Sequence, residues 1–286
     1  MDYNTWPGLK VEVTDGVATV TLDHPPLNLM DGVLTPSLWG FIHRVRDNAD
    51  VRVIVFQSAD PEFFSAHGPT AYLTDPDALP AASHAAIAAA PNAVIPDGLN
   101  VLQALIAEMY NLPQVTIGKI AGLARGAGNE FLMSLDMRFA AIGKSGQAQP
   151  EAHLAILPAG GGTVTMPGLL GRARALELLI GGQLIGAELA DHYGLVNRAL
   201  PAAELDAFVD SLARRMARVR PEVIAAIKAT VNAVAPAISH EAYAIENASL
   251  YSLFNEELIE QAHKQLAAGL ETREGERDLE GLLDRM

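Results

Sequence analysis

Apolar and polar positions alternate early in the chain. LKVEVTDGVATVTLD (residues 9–23) sets Val11, Val13, Val17, Val20 and Leu22 around Asp15-Gly16. A period of two marks a strand with one buried face, and Asp-Gly is a favoured two-residue turn, so a β-hairpin is predicted. Pro25 and Pro26 end it. In TPSLWGFIHRVR (35–46), Leu38, Phe41, Ile42 and Val45 recur at helical spacing, with Thr35 as the predicted N-cap and Pro36 in the first helical position. VRVIVFQ (51–57) is an apolar run bounded by polar residues and predicts a buried strand. A helix near 98–110, a strand at 115–121, a helix after Gly128 and a short strand around 137–141 continue the rhythm. Strand followed by helix, repeated, predicts an α/β fold with a mixed or parallel sheet covered by helices.

Residues 74–97 (TDPDALPAASHAAIAAAPNAVIPD) break the pattern. Four prolines and many alanines give no amphipathic period, and a long functional or mobile loop is expected there. Beyond residue 201 the spacing is helical: 202–219, 221–234 and 239–268. A charged tail, ETREGERDLEGLLDRM, ends in a short amphipathic piece. A boundary is placed near 200, giving an α/β core over 1–200 and a helical C-terminal region over 201–286.

Composition narrows the function classes. The chain of 286 residues has a formal net charge of −14, which argues against nucleic acid or an anionic membrane as the main partner. It has no cysteine, so disulfides, thiolate metal sites and a cysteine nucleophile are excluded. No signal-peptide pattern opens the sequence and no run of 18 apolar residues occurs, so a cytoplasmic protein is expected. No set of His, Asp and Glu has metal-ligand spacing.

The segment GLARGAGNEFLMSLDMRFAA (122–141) joins a glycine-rich turn to an apolar helical pattern with Glu130 in its first turn. A dinucleotide fingerprint fails because the third glycine is missing. A P-loop fails because Arg138 stands where the glycine upstream of Gly143-Lys144-Ser145 belongs. Two readings stay open on these residues alone: close backbone packing, or N–H groups at a helix start that stabilise an oxyanion. QPEAHLAILPAGGGT (149–163) brings a second carboxylate, Glu151, and another small-residue turn. PEFFSAHG (61–68) is a third loop of this kind.

These segments, with VTDGVATVTLDHPPLN and ELADHYGLVNRALP (188–201), resemble in order the crotonase superfamily, the enoyl-CoA hydratase/isomerase fold, over roughly residues 8–270. The resemblance implies a spiral of ββα units with an α-helical C-terminal region that packs over the active site or a neighbour, in trimers or hexamers. By the same resemblance, the backbone N–H groups of Gly68 and Ala127 would form the oxyanion hole, and Glu130 and Glu151 would be the catalytic acids. Ala66, His67, His153 and Arg125 are candidate substrate contacts, while Asp136 reads as structural. An acyl-CoA thioester is the implied substrate, with coenzyme A entering as part of it and no separate cofactor. Water addition is favoured because both glutamates are present. Isomerase, thioester hydrolase and β-diketone hydrolase chemistry, and a non-catalytic acyl-ligand binder, are the alternatives. The region after the first loop, GPTAYLTDPDA, is short of cations for a nucleotide, which leaves Lys228 and Lys264 as candidates for that role.

Overall fold

The computed structural model describes residue 3, residues 5–235 and residues 239–286. The predicted hairpin is β1 (Leu9–Thr14) and β2 (Val17–Leu22), paired antiparallel in the register Val11↔Val20. Asp15 and Gly16 both adopt positive φ at its turn, which the residue types allow. Next come α1 (Leu34–Val45), β3 (Val53–Ser58) and β4 (Phe63–Ser65). Helix α1 starts one residue before the predicted cap. Oδ1 of Asp31 accepts the N–H groups of Val33 and Leu34, both at 2.9 Å, so Asp31 does the work expected of Thr35, which is buried inside the helix.

The segment expected to be a loop is largely helical: α2 (Ala71–Thr74) and α3 (Ala78–Ala89). Its prolines delimit α3 instead of breaking it. Pro76 precedes the helix, Pro80 lies in the first turn where no intrahelical N–H bond is lost, and Pro91 and Pro96 follow its end. Alanine has the highest helix propensity. Ala82 and Ala86, four residues apart, are buried in the main core with α1. A stripe of methyl groups carries little hydrophobic contrast, so the periodicity did not reveal it.

Helix α4 (Val101–Tyr110) begins with a capping box between Asn100 and Gln103. Then follow β5 (Val115–Ile120), β6 (Leu123–Arg125), α5 (Gly126–Met133), β7 (Met137–Ile142), β8 (Gly146–Ala148) and a 3₁₀ turn, Glu151–Leu154. Helices α6 (Gly162–Leu170) and α7 (Arg172–Gly181), β9 (Ile185–Gly186), α8 (Ala187–Tyr193) and β10 (Arg198–Pro201) complete the α/β part. One sheet has the order β1-β2-β3-β5-β7-β10, and a second the order β4-β6-β8-β9. Except for the β1–β2 and β8–β9 pairs, neighbours run parallel. Each repeat puts a strand in the first sheet, a short strand in the second, then a helix. Successive repeats therefore stack their short-strand ends side by side, which brings residues 65–68, 124–127 and 148–151 together.

The C-terminal region contains α9 (Ala202–Met216), α10 (Pro221–Val234), α11 (His240–Ser252), α12 (Glu256–Ala268), α13 (Arg273–Arg277) and α14 (Leu279–Asp284). The predicted single helix over 239–268 is two, because the side chain of Asn255 accepts the Leu258 N–H at 2.8 Å and starts a new helix. The charged tail is also more than a solvated end. Leu270, Leu279 and Leu282 form a small core with Leu154 beside the 3₁₀ turn. Asp136 is structural: it accepts from Thr116 and pairs with Lys228 at 2.7 Å. Lys228 also donates to the Gln114 carbonyl, and exposed Lys264 pairs with Glu260, so each of the two candidate phosphate ligands already has an acceptor.

Candidate active site

The loops after β4 and β6 meet. A Cβ built on Gly68 would lie 3.4 Å from the Cβ of Ala127, and the Arg125 N–H donates to the Ala66 carbonyl at 3.1 Å. Among the described residues the Gly68 N–H has no acceptor. That of Ala127 lies in the first turn of α5, where intrahelical partners do not exist. Two unpaired donors thus stand side by side at the positive end of a short helix. Glycine is required at two places here. Gly126 has φ +45° with the Glu151 carboxylate against it, and a side chain on Gly128 would run into Ser65.

Glu130 and Glu151 both line the same cavity, of about 630 Å³, as do Gly68 and Ala127. Glu130 is 3% exposed; its Oε1 accepts the N–H groups of Gly160 (2.9 Å) and Gly162 (2.7 Å), and its Oε2 has no donor among the described residues. Burial, reinforced by the charges of Glu151 and Glu246, holds its carboxyl well above the usual carboxylate range. Glu151 stands at the start of the 3₁₀ turn. Burial pushes its carboxyl up to about 7, Glu246 adds to this, and the nearby His67 opposes it. A row of side-chain amides, Gln147, Asn129 and Gln149, runs to Glu151 with separations of 2.7, 2.8 and 3.5 Å.

The glycine turn PAGGGT is a cradle for two carboxylates, a role that its sequence did not disclose. Its N–H groups point alternately to opposite sides: Gly160 and Gly162 to Glu130, Gly161 and Thr163 to Glu246. Gly161 takes φ +107°, which lets the chain alternate in this way. Glu246, on α11, is 3% exposed and was not singled out in the sequence.

Of the four residues expected to touch substrate, only His67 is on the cavity wall. Its ring is already engaged: Nδ1–H donates to the Gly68 carbonyl (2.6 Å) and Nε2–H to Glu276 Oε1 (2.9 Å). Both partners are acceptors, so the ring is a doubly protonated imidazolium. Burial opposes that charge, but the Glu276 carboxylate outweighs it and raises the ring to about 9. Arg125 is fully buried, with Nε and Nη2 on the two oxygens of Glu280 at 2.7 Å and Nη1 on the Glu276 carbonyl. It ties the tail to the second loop and is not on the cavity wall. Ala66 is buried in a small core with Leu27 and Phe63, and His153 is exposed with its ring on the Gly181 carbonyl. Glu276 and Glu280, like Glu246, escaped the sequence reading. The signal for Glu246 was there: Tyr243, Glu246, Asn247 and Leu250 share one helix face, which puts a carboxylate on an otherwise core-facing stripe.

Among the described residues no His, Asp and Glu group is arranged to hold a metal ion, and no helix is long and apolar enough to cross a membrane.

Comparison with known proteins agrees with this architecture. The Enoyl-CoA hydratase/isomerase family profile matches residues 12–276. Carnitinyl-CoA dehydratase from Escherichia coli K12 is 31% identical over 228 residues, 79% of this chain and 81% of that protein. A crystal structure of a provisionally named enoyl-CoA hydratase from Streptomyces avermitilis superposes with a TM-score of 0.89 at 40% identity, covering 98% of each chain. Pseudomonas aeruginosa DspI superposes at 0.71 with 25% identity, over 89% of this chain and 98% of its own. By its five ordered segments, its two-sheet spiral and a profile match over nearly its whole length, the chain belongs to the enoyl-CoA hydratase/isomerase family of the crotonase superfamily.

Proposed function

We propose that the protein adds water across the α,β double bond of an enoyl-CoA thioester, or removes it in the reverse direction. The observation that carries this reading is the convergence of two buried glutamates and two unpaired backbone N–H groups on one cavity. The thioester oxygen would accept from Gly68 and Ala127, so that charge arriving there as the β carbon is attacked meets preorganised donors. One such donor contributes on the order of 3 kcal/mol to a transition state. Glu130 and Glu151 titrate as a pair, and burial raises both, so the pair keeps a proton near neutrality. The ionised member takes a proton from water as its oxygen bonds to the β carbon, and the protonated member delivers a proton to the α carbon. Water is consumed whole and the pair ends with the proton count it began with.

The rest of the cavity suits an apolar acyl group. Leu79 of α3, Leu102, Ile156, Leu250 and Phe254 line it, so the segment of residues 74–97 contributes a wall of the pocket. No Lys or Arg is among the described residues that line it. Dehydration, the direction named for the E. coli relative, uses the same groups in reverse order. An isomerase would move a proton between carbons with the same two carboxyls and no water.

The decisive experiment is incubation with crotonyl-CoA and longer 2-enoyl-CoA thioesters in ¹⁸O-labelled water. Loss of the enoyl-thioester absorbance with ¹⁸O in the product supports hydration. Conversion of a 3-enoyl to a 2-enoyl thioester without ¹⁸O uptake would make the protein an isomerase, and neither reaction would return the site to a binding role.

A further inference from the structure

Among the described residues, Glu246 is a buried carboxylate with no Lys or Arg paired to it, and it is not on the cavity wall. Its Oε1 accepts from Gly161 N–H (2.8 Å) and Gln103 Nε2 (3.0 Å), and its Oε2 from the N–H (3.2 Å) and hydroxyl of Thr163. Three of these partners can only donate, so the arrangement satisfies an ionised carboxylate with both oxygens in use. Glu130 is held by the intervening N–H groups of the same four-residue loop, but through one oxygen only. The two acids therefore grip one strip of backbone from opposite sides, one saturated and one with a free oxygen. Burying a charge supported by dipoles alone is costly.

We propose that Glu246 is a positioning residue of the active site: from behind the Gly160–Thr163 loop it fixes the two N–H groups that hold Glu130, and it places a standing negative charge beside the Glu130–Glu151 pair. This rests on reading that pair as the acid and base. The groups facing Glu130 are Glu151 from the 3₁₀ turn and Glu246 and Tyr243 from α11, while the His67 imidazolium acts on Glu151 and is itself matched by Glu276. Of these, Glu246 is the one negative group held away from the cavity. It keeps the shared proton in the pair without competing for it at the substrate.

The test needs no turnover. Protein carrying ¹³C in its glutamate carboxyls is titrated by NMR, with the two signals identified by their loss in Glu130→Gln and Glu151→Gln. Glu246→Gln removes the charge at constant length; Thr163→Val removes one donor and keeps the charge. In Glu246→Gln the last proton of the pair is expected to leave about one pH unit lower, tenfold in proton concentration, while Thr163→Val leaves it in place. The alkaline limb of kcat moves down by the same interval, with KM little changed. An unmoved titration in folded Glu246→Gln overturns the proposal, as does an equal displacement in Thr163→Val. If Glu246→Gln does not fold, Glu246→Asp serves: kcat falls, the titration stays, and a full-unit drop there overturns the idea. A wild type that hydrates no enoyl thioester would refute the hydratase reading and leave this titration still decisive for Glu246.

Discussion

Two groups of buried or partly buried acids lie against the loops that carry Gly68 and Ala127, and they are supported in opposite ways. On the tail side, Glu276 faces the His67 imidazolium and Glu280 takes both forks of Arg125. The Glu276 carboxyl is held below the usual range although burial works against it, because His67 and Arg125 more than offset the lost solvation. On the cavity side, Glu130, Glu151 and Glu246 have backbone and amide dipoles, and no Lys or Arg within reach of them among the described hydrogen bonds and ion pairs. Dipoles compensate burial only in part, so these carboxyls are all raised. Matched acids hold loops; the unmatched Glu130–Glu151 pair keeps a proton near neutral pH, as an acid–base pair requires, whereas the donors on both oxygens of Glu246 suit it to the ionised form.

The comparison breaks most sharply at the unmatched pair. Glu130→Gln and Glu151→Gln are each expected to lower kcat by about 10²–10⁴-fold while the fold survives, since each replaces a strained carboxyl by a neutral amide. Steady-state hydration kinetics beside thermal melts check this; near-wild-type kcat in either variant would remove that residue from the chemistry.

On the matched side the expected loss is of stability. Arg125→Ala leaves Glu280 and the Glu276 carbonyl without their donor and should cost about 3 kcal/mol or more by urea unfolding. Glu280→Gln should cost less, because the Glu280 side chain keeps 27% of its exposure and water can replace part of the bond. Equal losses would mean that the Glu280 pair accounts for the whole effect, with nothing left for the packing of Arg125 or its bond to Glu276.

Solution pH separates the two sides further. Unfolded, Glu151 ionises near 4.5, while folded it keeps its proton to about 7, so stability falls as pH rises between those values. His67 is protonated in both states below 6.5, where its pair with Glu276 contributes in full; the contribution is lost as pH rises through about 9. Each step is worth up to about 3 kcal/mol. Unfolding free energies from pH 4.5 to 9.5 should show both declines, with Glu151→Gln flattening the first and Glu276→Gln the second. A decline left intact by its own variant would assign it elsewhere.

The smallest effect belongs to the exposed helix pair Glu260–Lys264. Lys264→Ala should leave melting temperature and kinetics within error, as expected for a solvent-screened ion pair. A marked rise in KM for CoA thioesters, against a shorter pantetheine thioester, would instead give Lys264 the phosphate contact that its pairing here argues against.

How much of this was legible beforehand follows from the range of each interaction. The hairpin, the strand–turn–helix of residues 115–133, the glycine-rich turns and Glu130 and Glu151 come from short segments, while the choice of Gly68 and Ala127 rests on the family resemblance. In these segments the residue types, turn requirements and periodicity act on their immediate neighbours. Helix α3 stayed hidden because alanine forms helices well but contrasts poorly with polar residues, so its packing on α1 carries the information that its own pattern lacks. Glu246, Glu276 and Glu280 read as ordinary helical acids, yet Thr163, His67 and Arg125, which they hold, lie 83 to 209 residues away in sequence.

By itself, then, the sequence determined the local elements, the bare-backbone turns and the two carboxylates beside them, since steric freedom and apolar periodicity are properties of consecutive residues. Only the tertiary structure decided that His67 and Arg125 are tied to acids of the C-terminal tail, and that one glycine turn holds two acids. The reason is electrostatic: whether a buried carboxylate is a strut or a proton carrier depends on the charge brought next to it, and that charge arrives from the far end of the chain.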